Sequence, residues 1–367
     1  MNVLFPMRAD AETKMGGDTL QVKRYIAELA KLGIRGTLST APKLSLHDVD
    51  LVHFTNIDRP LDLAVHWRQV TGKKIPYVIS PIHHSYAEIE AYEKAGRRST
   101  LSRLTKHLNF LQIEKLRSLV RCAINHRNWL PYQLPLITED LSQVQREILA
   151  QAAAVLYLNE REFLLARTEI GASEKNKNIL PNGIEKIGLC NDYKTARDID
   201  FLCVGRIEAR KNQRSILLAA QKKGYKINLV GAVNQYHKEY AKEVLELVEK
   251  SGGKYHGVVD KAAVALLMSR AKCHISASWF EVASLVDIEA FMYGCSVICS
   301  VNGGTQEVLG DKAVYCVPND IESIARALEM ALQKPQAVGS EREMIFPTWE
   351  AVAAQLSTVY QRAITDV

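Results

Sequence analysis

Short apolar runs alternate with helix-length amphipathic segments along most of the chain, and this alternation limits the fold more than any other feature. The first run, Val3–Pro6, precedes a periodic segment from Asp18 to Leu32 that ends at Gly33. This alternation is typical of βα units, which pair their strands into a parallel sheet. Further strands are predicted at residues 50–54, 76–80, 153–158, 199–204, 226–230, 273–277, 296–299 and 313–316.

Turn residues near mid-chain divide these strands into two series. Pro181-Asn182-Gly183 is strong turn punctuation, and the second series begins at Ile199. The sequence therefore predicts an α/β protein with two doubly wound, Rossmann-like domains that face each other across a cleft. We expect the first domain at residues 1–190, with a basic helical insertion at about 85–135, and the second at 191–345.

Length and composition agree with two globular domains. A chain of 367 residues that is 47% hydrophobic has enough apolar side chains for a core in each domain. No window approaches 18 uninterrupted apolar residues, so a membrane-spanning helix is not expected. The N-terminus lacks a signal-peptide pattern, and the seven cysteines show no CxxC spacing. These features predict a cytoplasmic protein.

One segment carries a strong positive charge. Residues 97–127 contain eight basic residues and one acid, Glu114, while apolar residues recur between them at three- and four-residue steps. This pattern predicts a basic amphipathic helix that contacts an anionic membrane surface. The alternative is an ordinary helix with its leucines packed on the domain. Nucleic acid is not an expected partner, because the segment has few aromatic residues for base stacking.

A glycine and two cations follow the strand predicted at 199–204. Gly205 allows close backbone approach, Arg206 offers a planar guanidinium fork, and Lys211 offers a mobile point charge. Ligands of open α/β sheets bind at the carboxyl ends of strands, so this pair suits two phosphates without a metal. The alternative interpretation is a solvated turn.

Two carboxylates follow the strand predicted at 273–277. Glu281 lies in the loop after that strand, and Glu289 lies two turns into a helix predicted at Leu285–Met292. Paired carboxylates bind diol hydroxyls by accepting their hydrogen bonds, and the free amides at the helix start favour an anion. On spacing alone, two unrelated surface acids are the favoured interpretation.

Together these motifs resemble the family 4 glycosyltransferases of the GT-B fold. The match rests on the order and spacing of Gly205-Arg206 with Lys211, Glu281-x7-Glu289, Gly294-x-x-Val297 and Gly303-Gly304-x-x-Glu307. Supporting matches are Gly16-Gly17 after the first strand, Asp50-Leu-Val-His53, Pro181-Asn-Gly-Ile184 and Thr348-Trp-Glu350. The last of these resembles the start of a C-terminal helix, here 346–367, that crosses back to the N-terminal domain.

The resemblance implies a retaining transferase that moves a sugar from a nucleotide diphosphate-sugar to an acceptor, with no metal and no other cofactor. It implies that Arg206 and Lys211 neutralise the diphosphate, that Glu289 holds the ribose and that Glu281 contacts the transferred sugar. The loop Ala283, Ser284 and Leu285 would contact the sugar or the phosphates, and the nucleobase would lie near Gly257 and Val258.

The same resemblance assigns the acceptor site to the N-terminal domain. His83, just after the strand predicted at 76–80, is the favoured contact to the donor sugar, and His84 is the neighbouring candidate. Gly16 and Gly17 would bring backbone amides to the phosphate or the acceptor, with Lys14 a weaker candidate beside them. His53 is expected to support the loop. The alternative for both histidines is a loop-capping role.

Ser284 departs from the family pattern, because it stands where a glycine often lies against the sugar. The implied activity is transfer to a glycan or lipid-linked acceptor in bacterial lipopolysaccharide, O-antigen or capsule synthesis, by a protein peripheral on the inner face of the cytoplasmic membrane. A sugar-nucleotide epimerase and a non-catalytic subunit remain alternatives. The two Asp-x-Asp motifs, Asp48-Val-Asp50 and Asp198-Ile-Asp200, precede strands and are not expected to bind metal.

Overall fold

Two parallel six-stranded sheets form the protein, whose structure is a computed structural model describing residues 1–96, 108–185, 197–334 and 346–365. The contacts divide the chain into two units. The first contains residues 1–86, 107–185 and 347–367, and the second contains residues 87–106 and 186–346. Residues 87–106, part of the insertion expected in the first domain, thus group with the second unit.

The first unit has the strand order β2-β1-β3-β4-β5-β6. All of its pairings are parallel within the described residues. The central strands β3, β4 and β5 are buried along their whole length, as expected of strands with helices on both faces. The bounds are β1 Asn2–Pro6, β2 Arg35–Ser39, β3 Leu51–Thr55, β4 Tyr77–Ser80, β5 Ala154–Tyr157 and β6 Lys177–Ile179.

The second unit has the strand order β12-β11-β10-β7-β8-β9, again with parallel pairings throughout its described part. The chain runs outward from β7 through β8 to β9 and then returns to β10 on the other side of β7. The bounds are β7 Ile199–Val204, β8 Ile227–Val230, β9 Lys254–Tyr255, β10 Ala271–Ser276, β11 Ser296–Ser300 and β12 Ala313–Cys316. The predicted doubly wound α/β architecture is confirmed.

Three edge strands were absent from the prediction: β2, β6 and β9. Each lies at the end of its sheet, and none has a fully buried residue in its burial pattern. These three edge strands are partly exposed along their length, so their sequences lack the continuous apolar run that identifies a central strand, whereas β12, also at the end of its sheet, is mostly buried and was predicted.

Helices connect the strands of both units. Many begin at side-chain caps, such as Asn159, whose side chain accepts the backbone N–H of Glu162. In the first unit the helices are Gly17–Lys31, Pro60–Thr71, Phe110–Asn125, Leu130–Gln133, Leu141–Gln151, Glu160–Glu169 and Trp349–Thr365; Tyr86–Ala91 follows β4 and leads into the second unit. In the second unit they are Gln213–Lys222, Lys238–Lys250, Lys261–Arg270, Leu285–Met292, Thr305–Leu309 and Ile321–Gln333. Short turns are a π-helix at Tyr92–Gly96 and 3₁₀-helices at Arg127–Trp129, Leu134–Leu136, Ala209–Lys211 and Gly310–Lys312.

The C-terminal helix Trp349–Thr365 packs within the first unit. Tyr360 places its hydroxyl 2.6 Å from Nδ1 of His53, and the other ring nitrogen of His53 lies 2.9 Å from Ser80 Oγ. Burial lowers the pKa of His53 to about 3, so the ring is neutral. His53 therefore joins the helix to the sheet core, in line with a supporting role.

The helix Phe110–Asn125 contains the described part of the basic segment. Arg97, Arg98, Arg103 and Lys106 lie outside the described residues. Arg121 is largely buried and pairs with Glu114 at 3.0 Å, and Lys115 donates to the carbonyls of Ile137 and Glu139. Arg121 and Lys115 therefore bond to other groups of the first unit. None of the described helices is long and apolar enough to span a membrane.

Candidate active site

The loops after β7 and β10 lie side by side at the carboxyl edge of the second sheet. β7 pairs with β10 on one side and β8 on the other, so the chain reverses its winding direction at this point. Ligands of doubly wound sheets bind in the crevice at such a switch point. The two motifs singled out from the sequence, Gly205–Lys211 and Glu281–Glu289, follow these two strands.

Close packing between two glycines shapes the loop after β7. Gly205 has a φ of +154° and donates its N–H to the carbonyl of Val230 at 2.9 Å. A Cβ on Gly231, whose φ is +139°, would lie 2.2 Å from the Gly205 carbonyl oxygen. A side chain at residue 231 would therefore displace the backbone that leads into Arg206.

Asn212 fixes the other end of the same loop. It adopts the left-handed region with a φ of +59°, which asparagine tolerates better than most residues. Its buried side-chain amide donates to the carbonyls of Ala277 at 3.0 Å and Pro318 at 2.7 Å. These bonds attach the Ala209–Lys211 turn to the end of β10.

Glu281 brings the two loops together through ion pairs. Its Oε2 accepts from Lys211 Nζ at 2.6 Å and from Arg210 at 3.1 Å. The backbone N–H of Glu281 donates to Asn302, and Gly303 lies close enough that a Cβ there would be 3.5 Å from the Glu281 side chain. The Gly303-Gly304 turn thus packs directly behind the carboxylate.

Glu208 forms ion pairs with Arg206 and with Arg210, the arginine that also bonds Glu281. Its carboxylate lies 3.4 Å from Arg206 and 3.3 Å from Arg210, and it accepts from Asn234 at 2.9 Å. Burial would raise the pKa of Glu208, but Arg210 and Arg206 outweigh burial and lower it, so the group is ionised. The arginines, Lys211, Glu208 and Glu281 together make three cations against two carboxylates.

The loop before Leu285–Met292 accepts serine without strain. Ser284 has φ −94° and ψ +96°, an extended conformation that any residue adopts. Ala283 and Leu285 are partly exposed beside it, and Glu289 is partly exposed on the helix. Beneath them Asp287 is buried with His274 at 3.1 Å, which anchors the helix to β10. The backbone of this loop can therefore follow the same path with either glycine or serine at residue 284.

The predicted nucleobase region lies after β9. Val258 is 75% exposed, whereas the Gly257 carbonyl accepts the N–H of Gly231 at 2.8 Å. Through Gly231, this loop contacts the one that carries Arg206. The structure thus places Gly257, Gly205 and Arg206 in one continuous stretch of the sheet edge.

His83 does not match its predicted role. Its side chain is fully buried, with Nδ1 2.7 Å from Asp58 and Nε2 2.8 Å from Glu169. Burial would lower the pKa of His83, but the two carboxylates outweigh it and raise the pKa to about 10. Both nitrogens are engaged, so a sugar hydroxyl has no access to this ring. The prediction failed because sequence gives no sign of which neighbouring histidine faces inward.

His84 lies beside it with a partly exposed side chain. Its Nδ1 is 2.8 Å from Asp58, which also accepts its backbone N–H at 2.9 Å. Below this pair Glu162 accepts the N–H groups of His83 and Leu158, and burial raises its pKa to about 7. Asp58 thus fixes both histidines, and a ligand contact by His84 stays a prediction.

The glycine-rich loop of the first unit surrounds a carboxylate of the protein itself. Gly16 precedes the helix Gly17–Lys31, and a Cβ on Gly16 would lie 2.6 Å from Asp18 Oδ1. Asp18 accepts the N–H of Thr19 at 2.7 Å and pairs with Arg8 at 2.8 Å. Burial would raise the pKa of Asp18, but the bond to Arg8 outweighs it and lowers the pKa to about 2. An anion at Gly16 and Gly17 would therefore meet an ionised acid.

The second of the two acidic motifs that were set aside, Asp198-Ile-Asp200, forms ordinary surface ion pairs. Asp198 pairs with Arg270, and Asp200 pairs with Lys272 at 2.7 Å. Within the described residues, no cluster of histidine, cysteine and acidic side chains has the geometry of a metal site.

Sequence reasoning missed Glu208, Arg210, Asn212 and Gly231. Arg210 lies one residue before Lys211, so its part in the cluster was open to prediction from position alone. The role of Glu208 depends on Asn234 of another loop, and that of Gly231 on a backbone contact with Gly205. Neither contact has a signal in local spacing.

Comparison with known proteins finds glycosyltransferases among the proteins that this chain resembles. Residues 193–345 match the family described as glycosyl transferases group 1. The chain is 29% identical over 160 residues to O-antigen chain mannosyltransferase B of Escherichia coli, a match that covers 41% of each chain. The matched part thus spans less than half the length of this curated relative.

Solved structures resemble the whole chain at low identity. Sucrose-phosphate synthase from Thermosynechococcus elongatus has a TM-score of 0.72 at 17% identity, with all of both chains covered. Anabaena HepE in complex with UDP has a TM-score of 0.61 at 16% identity and covers 100% of this chain and 99% of its own. At this identity the likeness shows the fold alone, and the fold is GT-B.

Proposed function

Since residues 193–345 belong to the group 1 glycosyl transferases, we propose that this protein transfers a sugar from a nucleoside diphosphate sugar to a hydroxyl of a glycan or lipid-linked acceptor. We further propose that the anomeric configuration is retained and that no metal or other cofactor takes part. The biological setting we propose is bacterial surface polysaccharide synthesis, because the E. coli relative is named for O-antigen.

The observation that carries this proposal is the charged cluster at the switch point. Arg206, Arg210 and Lys211 lie within one loop, and Glu281 bonds two of them. Three cations against two carboxylates leave a surplus of one positive charge, and a guanidinium fork beside an ammonium group suits a diphosphate. The cations thereby supply the electrostatic work that a metal ion performs in other transferases.

The proposed reaction exchanges one bond at the anomeric carbon for another. The bond from C1 to the phosphate oxygen breaks, and a bond from C1 to the acceptor oxygen forms on the same face of the sugar. The nucleoside diphosphate leaves with the electron pair, and the acceptor proton passes to the departing phosphate. Lys211 and Arg206 stabilise the negative charge that develops on the phosphate.

The two carboxylates take different parts of the donor in this proposal. Glu289 accepts from the ribose hydroxyls, and Glu281 accepts from a hydroxyl of the transferred sugar. Bonds to Lys211 and Arg210 hold the Glu281 carboxylate against the cations of the cluster. The exposed Val258 offers an apolar surface for the nucleobase.

Nucleotide binding tests the proposal. Thermal unfolding of the full chain is measured with UDP, GDP, ADP and dTDP, each beside its monophosphate and each with and without EDTA. One diphosphate at 100 times its dissociation constant should stabilise the protein by about 2.7 kcal/mol, and its monophosphate should stabilise it less. EDTA should change nothing. Stabilisation only in the presence of a divalent cation, or by no diphosphate, contradicts the proposal.

Product analysis separates the transferase from its alternatives. The nucleotide that binds is supplied as its sugar conjugates, mannosyl donors first because the E. coli relative is a mannosyltransferase by name. A glycosylated acceptor supports transfer. An altered nucleotide sugar with no glycoside supports an epimerase, and binding without turnover supports a non-catalytic subunit.

We also propose that the helix Phe110–Asn125 binds an anionic membrane surface. Leu116, Val120 and Ile124 are spaced by four residues and are 50%, 57% and 68% exposed, so they form one apolar stripe. Arg117 on the same helix and Arg127 just beyond it place positive charge beside this stripe. Apolar side chains with flanking cations are the combination that binds an anionic lipid interface.

Liposome binding tests this surface. Val120→Glu with Ile124→Glu should weaken binding to phosphatidylglycerol vesicles by tenfold or more, because it replaces buried apolar area with charge that the lipid repels. Leu164→Glu, at a 51% exposed leucine of another helix in the same unit, is the matched control and should bind as wild type does. High salt should release the protein. Equal binding to neutral phosphatidylcholine vesicles, or unchanged binding of the double variant, would sink the proposal.

A further inference from the structure

A cavity lies in the second unit beside the charged cluster. It has a volume of about 650 Å³ and lies between the starts of the helices Gln213–Lys222 and Lys238–Lys250, with Trp279 and Ala95 closing its sides. That volume is within the range of about 300–1,000 Å³ that small-molecule sites occupy. Arg206, Lys211, Glu281 and Glu289 are not among its lining residues. We name it the Trp279 cavity.

The charges around the Trp279 cavity cancel. Arg214 and Lys238 are its cations, Glu239 and Glu243 are its carboxylates, and Arg214 bonds directly to Glu243. His237 adds no charge at Nδ1, because this nitrogen accepts the N–H of Ala209 at 3.1 Å. A phosphate would find no surplus of positive charge here. An apolar ligand would leave these polar groups without partners.

Aromatic rings complete the lining. Tyr236 is 65% exposed at the rim, Tyr240 lines the wall with its hydroxyl bonded to the Arg214 N–H at 3.0 Å, and Trp279 closes one side. Aromatic faces among planar amide, carboxylate and guanidinium groups match a ligand that has both apolar C–H faces and many hydroxyls. A neutral saccharide has this chemistry.

The cavity is joined to the charged cluster by three short connections. Trp279 lies two residues before Glu281 and donates its N–H to the Arg210 carbonyl at 2.9 Å. His237 bonds Ala209, and Asn234 of the same loop bonds Glu208. A π-helical turn, Tyr92–Gly96, packs Tyr92 on Trp279 and Phe280 and contributes Ala95 to the lining. Such turns occur often at functional sites.

We propose that the Trp279 cavity is a saccharide subsite that holds a neutral sugar unit of the acceptor glycan beyond the unit that receives the transferred sugar. Its role toward the acceptor rests on the proposed transferase function; its saccharide chemistry rests on the cavity alone. Occupation of this subsite makes a longer glycan a better acceptor than a monosaccharide.

Saccharide binding to the full chain tests the subsite. Saturation-transfer NMR is recorded with neutral disaccharides of mannose, glucose and galactose, and with inorganic pyrophosphate as the anionic probe. At least one disaccharide should bind wild type. Ser215→Tyr fills the cavity from the first turn of its helix and should abolish that binding, and Tyr236→Ala should weaken it about tenfold. Gln221→Tyr, exposed on the same helix and away from the cavity, is the matched control.

Two further measurements distinguish the inference from the proposed function. Nucleoside diphosphate binding should be equal in all three variants and wild type, which shows that the second unit is folded in each. In transfer assays Ser215→Tyr should raise KM for a disaccharide acceptor about tenfold and leave KM for a monosaccharide acceptor unchanged. Disaccharide binding lost in Ser215→Tyr without any transfer activity would support the saccharide site and remove its acceptor role.

Three outcomes overturn the inference while leaving the proposed function intact. They are the absence of disaccharide binding to wild type, binding of inorganic pyrophosphate in place of any disaccharide, and disaccharide binding that persists undiminished in Ser215→Tyr.

Discussion

Replacing His83 by glutamine should remove one proton's share of the dependence of the protein's stability on pH between pH 7 and pH 10. His83 is held between Asp58 and Glu169, and these carboxylates raise its pKa from the usual 6.5 to about 10 against the opposing effect of burial. A raised pKa means that the folded protein binds the proton more tightly than the unfolded chain does. The stabilisation is complete below about pH 6.5 and is lost as the pH rises through 10.

The size of the effect follows from the slope of that linkage. One proton contributes about 1.4 kcal/mol per pH unit, so between pH 7 and pH 10 the free energy of unfolding of wild type should fall by on the order of 4 kcal/mol more than that of His83→Gln. Glu162, with a pKa of about 7, titrates mainly below this window. In His83→Gln the curve should fall less steeply, keeping only the loss that comes from other groups, such as the buried cysteine thiols whose pKa values burial raises. At pH 7 this variant should be several kcal/mol less stable, because Asp58 and Glu169 lose their buried counterion.

Urea unfolding at several pH values measures this prediction. Tryptophan fluorescence reports mainly on the first unit, which contains three of the four tryptophans, Trp67, Trp129 and Trp349. His47→Gln, at an exposed histidine next to Asp48, is the control and should follow wild type. Parallel curves for wild type and His83→Gln across the window would show that the buried ring carries no proton.

Most strands of this chain could be predicted, because a buried strand is a continuous run of apolar residues. β7 and β12 were predicted with their observed bounds, and both are runs of mostly buried residues between polar turns. β2 and β9 were missed, since neither of these two edge strands has a buried residue and both have weak apolar content. The basic segment illustrates a different limit, because charge counting treats Arg121 and Arg117 alike, although Arg121 is largely buried in an ion pair with Glu114 and Arg117 is partly exposed.

The candidate site was predictable where a motif stays within one loop. Gly205, Arg206, Lys211 and Glu281 follow β7 and β10, and knowing that strand ends converge was enough to bring them together. Contacts between different loops, such as that of Glu208 with Asn234, could not be predicted from the sequence. His83 and His84 differ by one residue, and only the positions of Asp58 and Glu169 decide which ring is enclosed.

Removal of the Lys211 ammonium group should lower turnover of the nucleotide sugar more than any other single change in the cluster. Lys211 is the mobile cation at the phosphate side and bonds Glu281 at 2.6 Å. Preorganised charge aimed at a leaving group is worth on the order of 10²–10³ in rate. Lys211→Ala should therefore reduce kcat/KM for release of the nucleoside diphosphate by that factor, and Arg210 should keep Glu281 in place.

The central claim is that the loop after β7 binds the diphosphate of a nucleotide sugar, and its most direct test is this kinetic comparison on the full chain. Lys222→Ala, which removes an exposed lysine paired with Glu322 of the helix Ile321–Gln333, serves as the control. We expect Lys222→Ala to keep wild-type turnover and Lys211→Ala to lose on the order of 10²–10³ in kcat/KM with an unchanged melting temperature. Turnover of Lys211→Ala within about twofold of wild type would contradict the claim.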